Sequence, residues 1–138
     1  MEKIIQAKYE DYKESIINVR HTVFVIGQNV PAEIEIDGKD PDCFHVLILK
    51  DNKAIATGRM EKDGHIGRIA VLEEFRGLHY GQKIMKKLEE IAVENNIKRV
   101  YLGSQVHAMG FYSVLGYEPY GDFYFEAGIE HKKMEKIF

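Results

Sequence analysis

Hydrophobic and polar positions along this chain alternate between two periods. Ile4, Ile5 and Ala7 predict a short strand over 1–8. Tyr12, Ile16, Val19 and Val23 then fall at i, i+4, i+7 and i+11, one face of an amphipathic helix. Asp11 with Glu14 three residues on has the form of a capping box, and Gly27 marks the helix end. Residues 27–43, GQNVPAEIEIDGKDPDC, keep no helical period and carry two prolines. An irregular stretch of that length is a candidate substrate-facing loop. Strands 44–50, 53–62 and 65–71 follow, with tight turns at Asp51-Asn52 and Asp63-Gly64, an antiparallel meander. From Gly77 to Asn95 the period returns to helical, with Gly81, Ile84, Met85, Leu88, Ile91 and Ala92 on one face. A strand over 98–104, after this crossover helix, is expected parallel to 65–71. A short helix over 106–115 ends at Gly116, and a hairpin centres on Ala127-Gly128. The element order predicts an α+β fold with a mixed sheet.

Composition narrows the setting. The 138 residues, 45% hydrophobic, suit one domain over 1–138 whose core requires neither disulfide nor metal. Cys43 is the only cysteine, so no disulfide forms within the chain and a reducing compartment is expected. The first residues lack a signal-peptide core, and no run approaches the ~20 apolar residues of a membrane span. A cytoplasmic protein is expected. A net charge of −3 points to neither nucleic acid nor membrane as partner. Cys43-x-His45 is half a metal motif without a second half among the six histidines, so no metal is expected.

The chemistry concentrates in HIGRIAVLEEFRGLHYGQKIM, 65–85. A strand runs through a turn into a helix whose N-terminus offers unpaired N–H groups and roughly half a positive charge. Gly77 and Gly81 let an anion approach the backbone, and Arg76 and Lys83 add charge nearby, a candidate phosphate cradle. Glycine spacing alone favours the plainer reading, a strand-to-helix turn. Gly81-Gln82-Lys83 lacks the hydroxyl of a Walker A loop, and the preceding antiparallel meander does not suit a dinucleotide fingerprint.

The stretch I-A-V-L-E-E-F-R-G-L-H-Y-G-Q (69–82) resembles the acyl-CoA-binding core of the GNAT acetyltransferases, with His79 where that family usually has glycine. Q-V-H-A-M-G-F-Y-S-V-L-G-Y (105–117) is similar to the family's second signature. V-R-H-T-V-F-V (19–25), with Gln28, Pro31 and the Glu35/Asp37 pair, is similar to a small bacterial subgroup. The resemblance implies a GNAT fold with a V-shaped split between strands 65–71 and 98–104. It implies acetyl-CoA as cosubstrate, a small-molecule or peptide amine as acceptor, and direct transfer in a ternary complex without an acylated Cys43. Backbone groups of Ile69, Ala70 and Val71 are then expected on pantetheine. The N–H groups of Arg76, Gly77, Leu78, His79, Tyr80, Gly81 and Gln82 are expected at the pyrophosphate. Ser104 and Gln105 are expected at the gap, with helix capping as the other reading of Ser104. Tyr112 matches the residue that protonates the leaving thiolate; its other reading is core packing.

Freeing a lysine-like amine of its proton at pH 7 costs about 4–5 kcal/mol, so a base helps. Glu33, Glu35 and Asp37 of the acidic loop and His107 are candidates, a solvated loop being an equal reading of the carboxylates. Arg20 reads first as an ion-pair partner of that loop, with a contact to the acceptor or to CoA as its other reading. The alternative function is a non-catalytic CoA-binding sensor or partner module, with a nucleotide-binding protein as a third. Open strand edges make a homodimer a candidate.

Overall fold

A computed structural model describes all 138 residues. Four antiparallel strands lie in the order β1 (Glu2–Ala7), β2 (Phe44–Lys50), β3 (Lys53–Met60), β4 (Ile66–Val71). A second sheet holds β5 (Arg99–Gln105), β6 (Glu118–Glu126) and β7 (Ile129–Ile137), with β7 in the middle. The β6–β7 turn uses Ala127 and Gly128, both at positive φ (52° and 76°), as a two-residue hairpin demands. The α+β reading, the meander and the hairpin stand as expected.

Helix α1 (Tyr9–Arg20) begins earlier than the sequence pattern implied. Lys8 is the N-cap residue, and its carbonyl accepts from the N–H groups of Asp11 and Tyr12, so Asp11 lies within the first turn and does not cap. The helix continues as a π-helical segment, His21–Ile26. Gly27 keeps right-handed dihedrals (φ −75°), and the left-handed residue beyond it is Asn29 (φ 56°). The segment 27–43 is also more ordered than a loop: it holds α2 (Ala32–Glu35) and a 3-10 turn at Asp40–Asp42.

Helix α3 (Tyr80–Glu94) turns Ile84, Met85, Leu88, Ile91 and Ala92 into the core, as its periodicity required. It packs on β2, β3 and β4. Its approach is close because β3 offers Gly58, where an added Cβ would stand 2.5 Å from Ile84 and 2.7 Å from Ile69. Alternation along β2 puts Val46 and Ile48 in this core and Leu47 with Ala7 and Ile16 in a smaller cluster. Truncating Leu88, fully buried, to alanine is worth about 2–5 kcal/mol at such a position.

The two sheets meet at one parallel bridge, His65 to Tyr101, where the Tyr101 N–H donates to Gly64 C=O at 3.0 Å. Beyond it β4 pairs only with β3, and β5 only with β7. The parallel neighbours expected from the crossover rule therefore touch at their starts and diverge as a V.

Candidate active site

The V opens into a cleft of about 700 Å³, walled by Gly67, Arg68, Ile69 and Val71 of β4 and Tyr101, Gly103 and Gln105 of β5. The Leu72 N–H donates to Ile55 C=O of β3. Alternation then turns the peptide groups of Val71 and Ile69 toward the open edge. Ala70 is different: it registers with Thr57, and its side chain is in the core, so its peptide groups serve the β3 ladder and not the gap. Ser104 likewise faces away. It is 1% exposed, donates to the Gln105 carbonyl at 2.8 Å, and shares the core face with Val100 and Leu102. Expectations that placed Ala70 and Ser104 at the gap are corrected by the two-residue period of the strands.

At the wide end of the V, β4 passes through a 3-10 turn, Glu73–Phe75, into α3. Gly77 (φ 77°) and His79 (φ 68°) both adopt the left-handed conformation. The first helical bond here runs from the Lys83 N–H to His79 C=O. The N–H groups of Gly77, Leu78, His79, Tyr80, Gly81 and Gln82 therefore donate to no acceptor of the chain. Such a run of free amides at a helix start is suited to an anion. Arg76 stands at the rim, its Nε donating to Val71 C=O at 3.1 Å. Of this run, Gly81 lines the cleft, beneath the Phe111 ring, 3.3 Å from where a Cβ would sit. The Tyr80 side chain takes no part: it is buried, and its hydroxyl donates to Glu2 at 2.9 Å.

Tyr112, on α4 (Met109–Val114), lines the cleft between the edge-on rings of Phe111 and Tyr117. Burial alone pushes its phenol up to about 12, so the hydroxyl keeps its proton at neutral pH. Gln28 and Gln105 exchange amide bonds across the cleft, 2.9 and 3.3 Å, and His107 donates from Nε2 to Gln105 Oε1 at 2.7 Å. All three line the cleft.

The acidic segment forms a buried ion cluster. Arg20, 1% exposed, donates to both oxygens of Glu35, with 3.0 Å from Nε to Oε2, and reaches Asp40 at 2.6 Å. Arg59 bridges Asp40 (2.9 Å) and Asp37 (3.0 Å). Arg68 sits in β4 at φ 52°, at the register slip between β3 and β4, and this bulge aims it at Glu35 (3.0 Å) and Asp37 (3.2 Å). Burial pushes the Asp37 carboxyl up, but Arg59, the Lys39 N–H and Arg68 outweigh it and hold it well below the usual carboxylate range. Asp40 is lowered in the same way, burial being outweighed by Arg20 and Arg59. Glu35 lines the cleft, whereas Asp37 does not, and Glu33 is exposed outside it. Cys43 also lies outside the cleft, and burial pushes its thiol up to about 11. No group of three or more His, Cys, Asp or Glu side chains is placed to hold a metal ion. No helix is long and apolar enough to cross a membrane.

The sequence pattern did not single out Glu61, His65, Arg59 or Arg68, all of which line the cleft. Glu61 and His65 flank the Asp63-Gly64 turn four residues apart, and a tight hairpin at that spacing brings its flanks together. That signal was available. The arginines carried none, because only strand pairing decides which loop they face.

A family model described as an acetyltransferase (GNAT) domain matches residues 8–138. The chain is 37% identical over 138 residues to the uncharacterized N-acetyltransferase YjcF of Bacillus subtilis (strain 168), covering 97% of this chain and 99% of that one. It superposes on the crystal structure of Escherichia coli ElaA with a TM-score of 0.88 at 32% identity, covering 99% of both chains. An aminoglycoside 6′-N-acetyltransferase complexed with coenzyme A shares the fold, with a TM-score of 0.78 at 12% identity over 98% of this chain and 96% of that one. With the split strands, the free amides at the start of α3 and these matches together, the chain belongs to the GNAT acetyltransferase family.

Proposed function

We propose that this protein transfers the acetyl group of acetyl-CoA to a primary amine by direct attack within a ternary complex. The observation that carries this reading is the run of six unaccepted amides, Gly77 to Gln82, at the wide end of a V-shaped cleft. The diphosphate of CoA takes those hydrogen bonds and the positive end of α3. The pantetheine arm lies along the open edge of β4, adding as a strand would to the peptide groups of Ile69 and Val71. A fold neighbour that carries coenzyme A supports this choice of ligand.

The thioester then lies between β4 and α4, where Tyr112 supplies a protonated hydroxyl. A CoA thiolate resembles a cysteine thiolate, with a pKa of ~8.5, and protonation by Tyr112 eases its departure. Direct transfer is supported by Cys43, whose thiol is held protonated and lies outside the cleft. Glu35 and Asp37 act in this reading as ties for the segment that forms the acceptor wall, since guanidinium groups occupy their oxygens. Gln105 orients His107 and closes the cleft toward Gln28.

The test is CoA thiol release from acetyl-CoA with a panel of primary amines, together with calorimetric binding of CoA. Thiol release that depends on an amine supports transfer. Tight CoA binding without release from any amine contradicts it and favours a CoA-binding module.

A further inference from the structure

At the closed end of the V, the turn between β3 and β4 carries a histidine–carboxylate pair that the roles above leave unused. His65 Nδ1 stands 2.6 Å from Glu61 Oε2, and both residues line the cleft. The pair rests on a rigid base. Glu61 N–H donates to His65 C=O at 2.8 Å, Gly64 N–H to Glu61 C=O at 2.9 Å, and His65 N–H to Asp63 at 3.1 Å. The imidazole lies flat on the Tyr101 ring, with centroids 4.8 Å apart and planes 4° from parallel. A carboxylate only accepts, so Glu61 places the hydrogen of the neutral ring on Nδ1 and leaves the lone pair on Nε2. Nε2 has no partner in the chain, and the side chain is 40% exposed, so a proton taken there passes on to solvent.

We propose that His65, held by Glu61, is the proton acceptor for the incoming ammonium. This rests on the transfer reading above. Four strand rises, shortened by the bulge at Arg68, put His65 at most about 13 Å from Ile69, and the proton crosses that gap over water in the cleft. R–NH3⁺ yields its proton through that water to His65 Nε2, and the freed lone pair attacks the thioester carbonyl. As the C–N bond forms and the C–S bond breaks, the amide nitrogen's surplus proton replaces the one Tyr112 gives to the departing thiolate. The products are the acetamide, CoA thiol and one proton released from His65.

The other candidates are less suited. Guanidinium N–H groups of Arg20 and Arg68 already bond to Glu35, and His107 has an amide rather than a carboxylate behind it. The charged and titratable groups around His65 are Glu61 and Asp63 on its own turn, and Tyr101 and Arg99 on β5. Lys39 approaches Glu61 at 3.5 Å. Only Glu61 bonds to the ring.

Two measurements test the proposal. Imidazole ¹⁵N NMR of the free protein at alkaline pH, where the ring is neutral, is expected to show hydrogen on Nδ1 of His65, and a mixed tautomer in Glu61→Gln; hydrogen on Nε2 in the wild type overturns the proposal whatever the acceptor. With butylamine or spermidine as acceptor, the wild-type kcat/KM is expected to rise with pH to a plateau below about pH 9. His65→Gln is expected to lower kcat at pH 7 about 100-fold, to leave the Kd for CoA unchanged, and to climb without levelling to pH 9. His107→Gln is expected to keep the limb. A His65→Gln profile that keeps the limb at near wild-type rate, or a limb lost in His107→Gln instead, overturns the proposal. Wild-type protein that releases no thiol with either amine contradicts the proposal for these acceptors, and failure with every amine of the panel contradicts the transfer reading itself.

Discussion

The Gly64 Cα faces the Arg99 carbonyl so closely that an added Cβ would stand 2.2 Å from that oxygen. The absence of a Cβ lets the starts of β4 and β5 come close enough for the Tyr101 N–H to bond to Gly64 C=O, and the left-handed φ of 102° at Gly64 sets the turn. Gly64→Ala is expected to destabilise the fold by about 2–3 kcal/mol, from the strained backbone and the displaced strand. Urea unfolding reads this as a lowered midpoint. An unchanged midpoint contradicts the closed end described for the fork.

His79 holds a left-handed conformation at the N-cap of α3, without a side-chain capping bond. A side chain there costs about 1–2 kcal/mol that glycine does not. With glycine's extra unfolded-chain entropy, roughly 0.5–1 kcal/mol, already set against that strain, His79→Gly is expected to stabilise the protein by about 1 kcal/mol and to raise Tm by roughly 3 °C. A lower Tm shows that the imidazole makes a contact offsetting the strain.

Much of the fold was legible because its elements are amphipathic in isolation. The spacing of Ile84, Leu88 and Ile91 identified α3, and Ala127-Gly128 located the last hairpin. The start of α1 departs from the pattern: Asp11 offers a good capping side chain, yet the helix begins where the Lys8 carbonyl first accepts a bond. The segment 27–43 shows no period because its order comes from outside it, from Arg20, Arg59 and Arg68 on three different elements. The placement of the site followed the same division. Ile69, Val71, Arg76, Gly81, Gln105, His107 and Tyr112 line the cleft and Ala70 and Ser104 do not, while the Arg76 N–H expected at the pyrophosphate donates instead to the Glu73 carbonyl. A motif names a stretch, and only strand register says which of two neighbours turns inward.

Arg20 is buried between Glu35 and Asp40, so removing its charge leaves each of these buried carboxylates with a single guanidinium, Arg68 on Glu35 and Arg59 on Asp40. Arg20→Met is expected to cost about 3–5 kcal/mol. Chemical denaturation measures it, and a loss under 1 kcal/mol contradicts the cluster's structural weight.

The same cluster sets an acid limit. Asp37 and Asp40 titrate below their ordinary value of 3.8 when folded. Their contribution is therefore complete above about pH 5 and is lost as pH falls through their lowered folded values. Asp37→Asn is expected to lose stability less steeply than wild type between about pH 4 and 2. Identical slopes in urea titrations across that range contradict the pairing of Asp37 with Arg59 and Arg68.

Tyr112→Phe removes only the hydroxyl from a ring packed against Phe111 and Tyr117. Turnover is expected to fall about 10- to 100-fold with the Kd for acetyl-CoA unchanged. Undiminished turnover assigns Tyr112 to packing alone.

The most direct measurement is a ¹H–¹⁵N NMR titration with coenzyme A that follows the amides of Gly77, Leu78, His79, Tyr80, Gly81 and Gln82. Hydrogen bonds to the diphosphate are expected to move these six signals downfield together as the cleft fills. Saturable binding that leaves them in place, or no binding at all, contradicts the assignment of the α3 start as the holder of the cofactor.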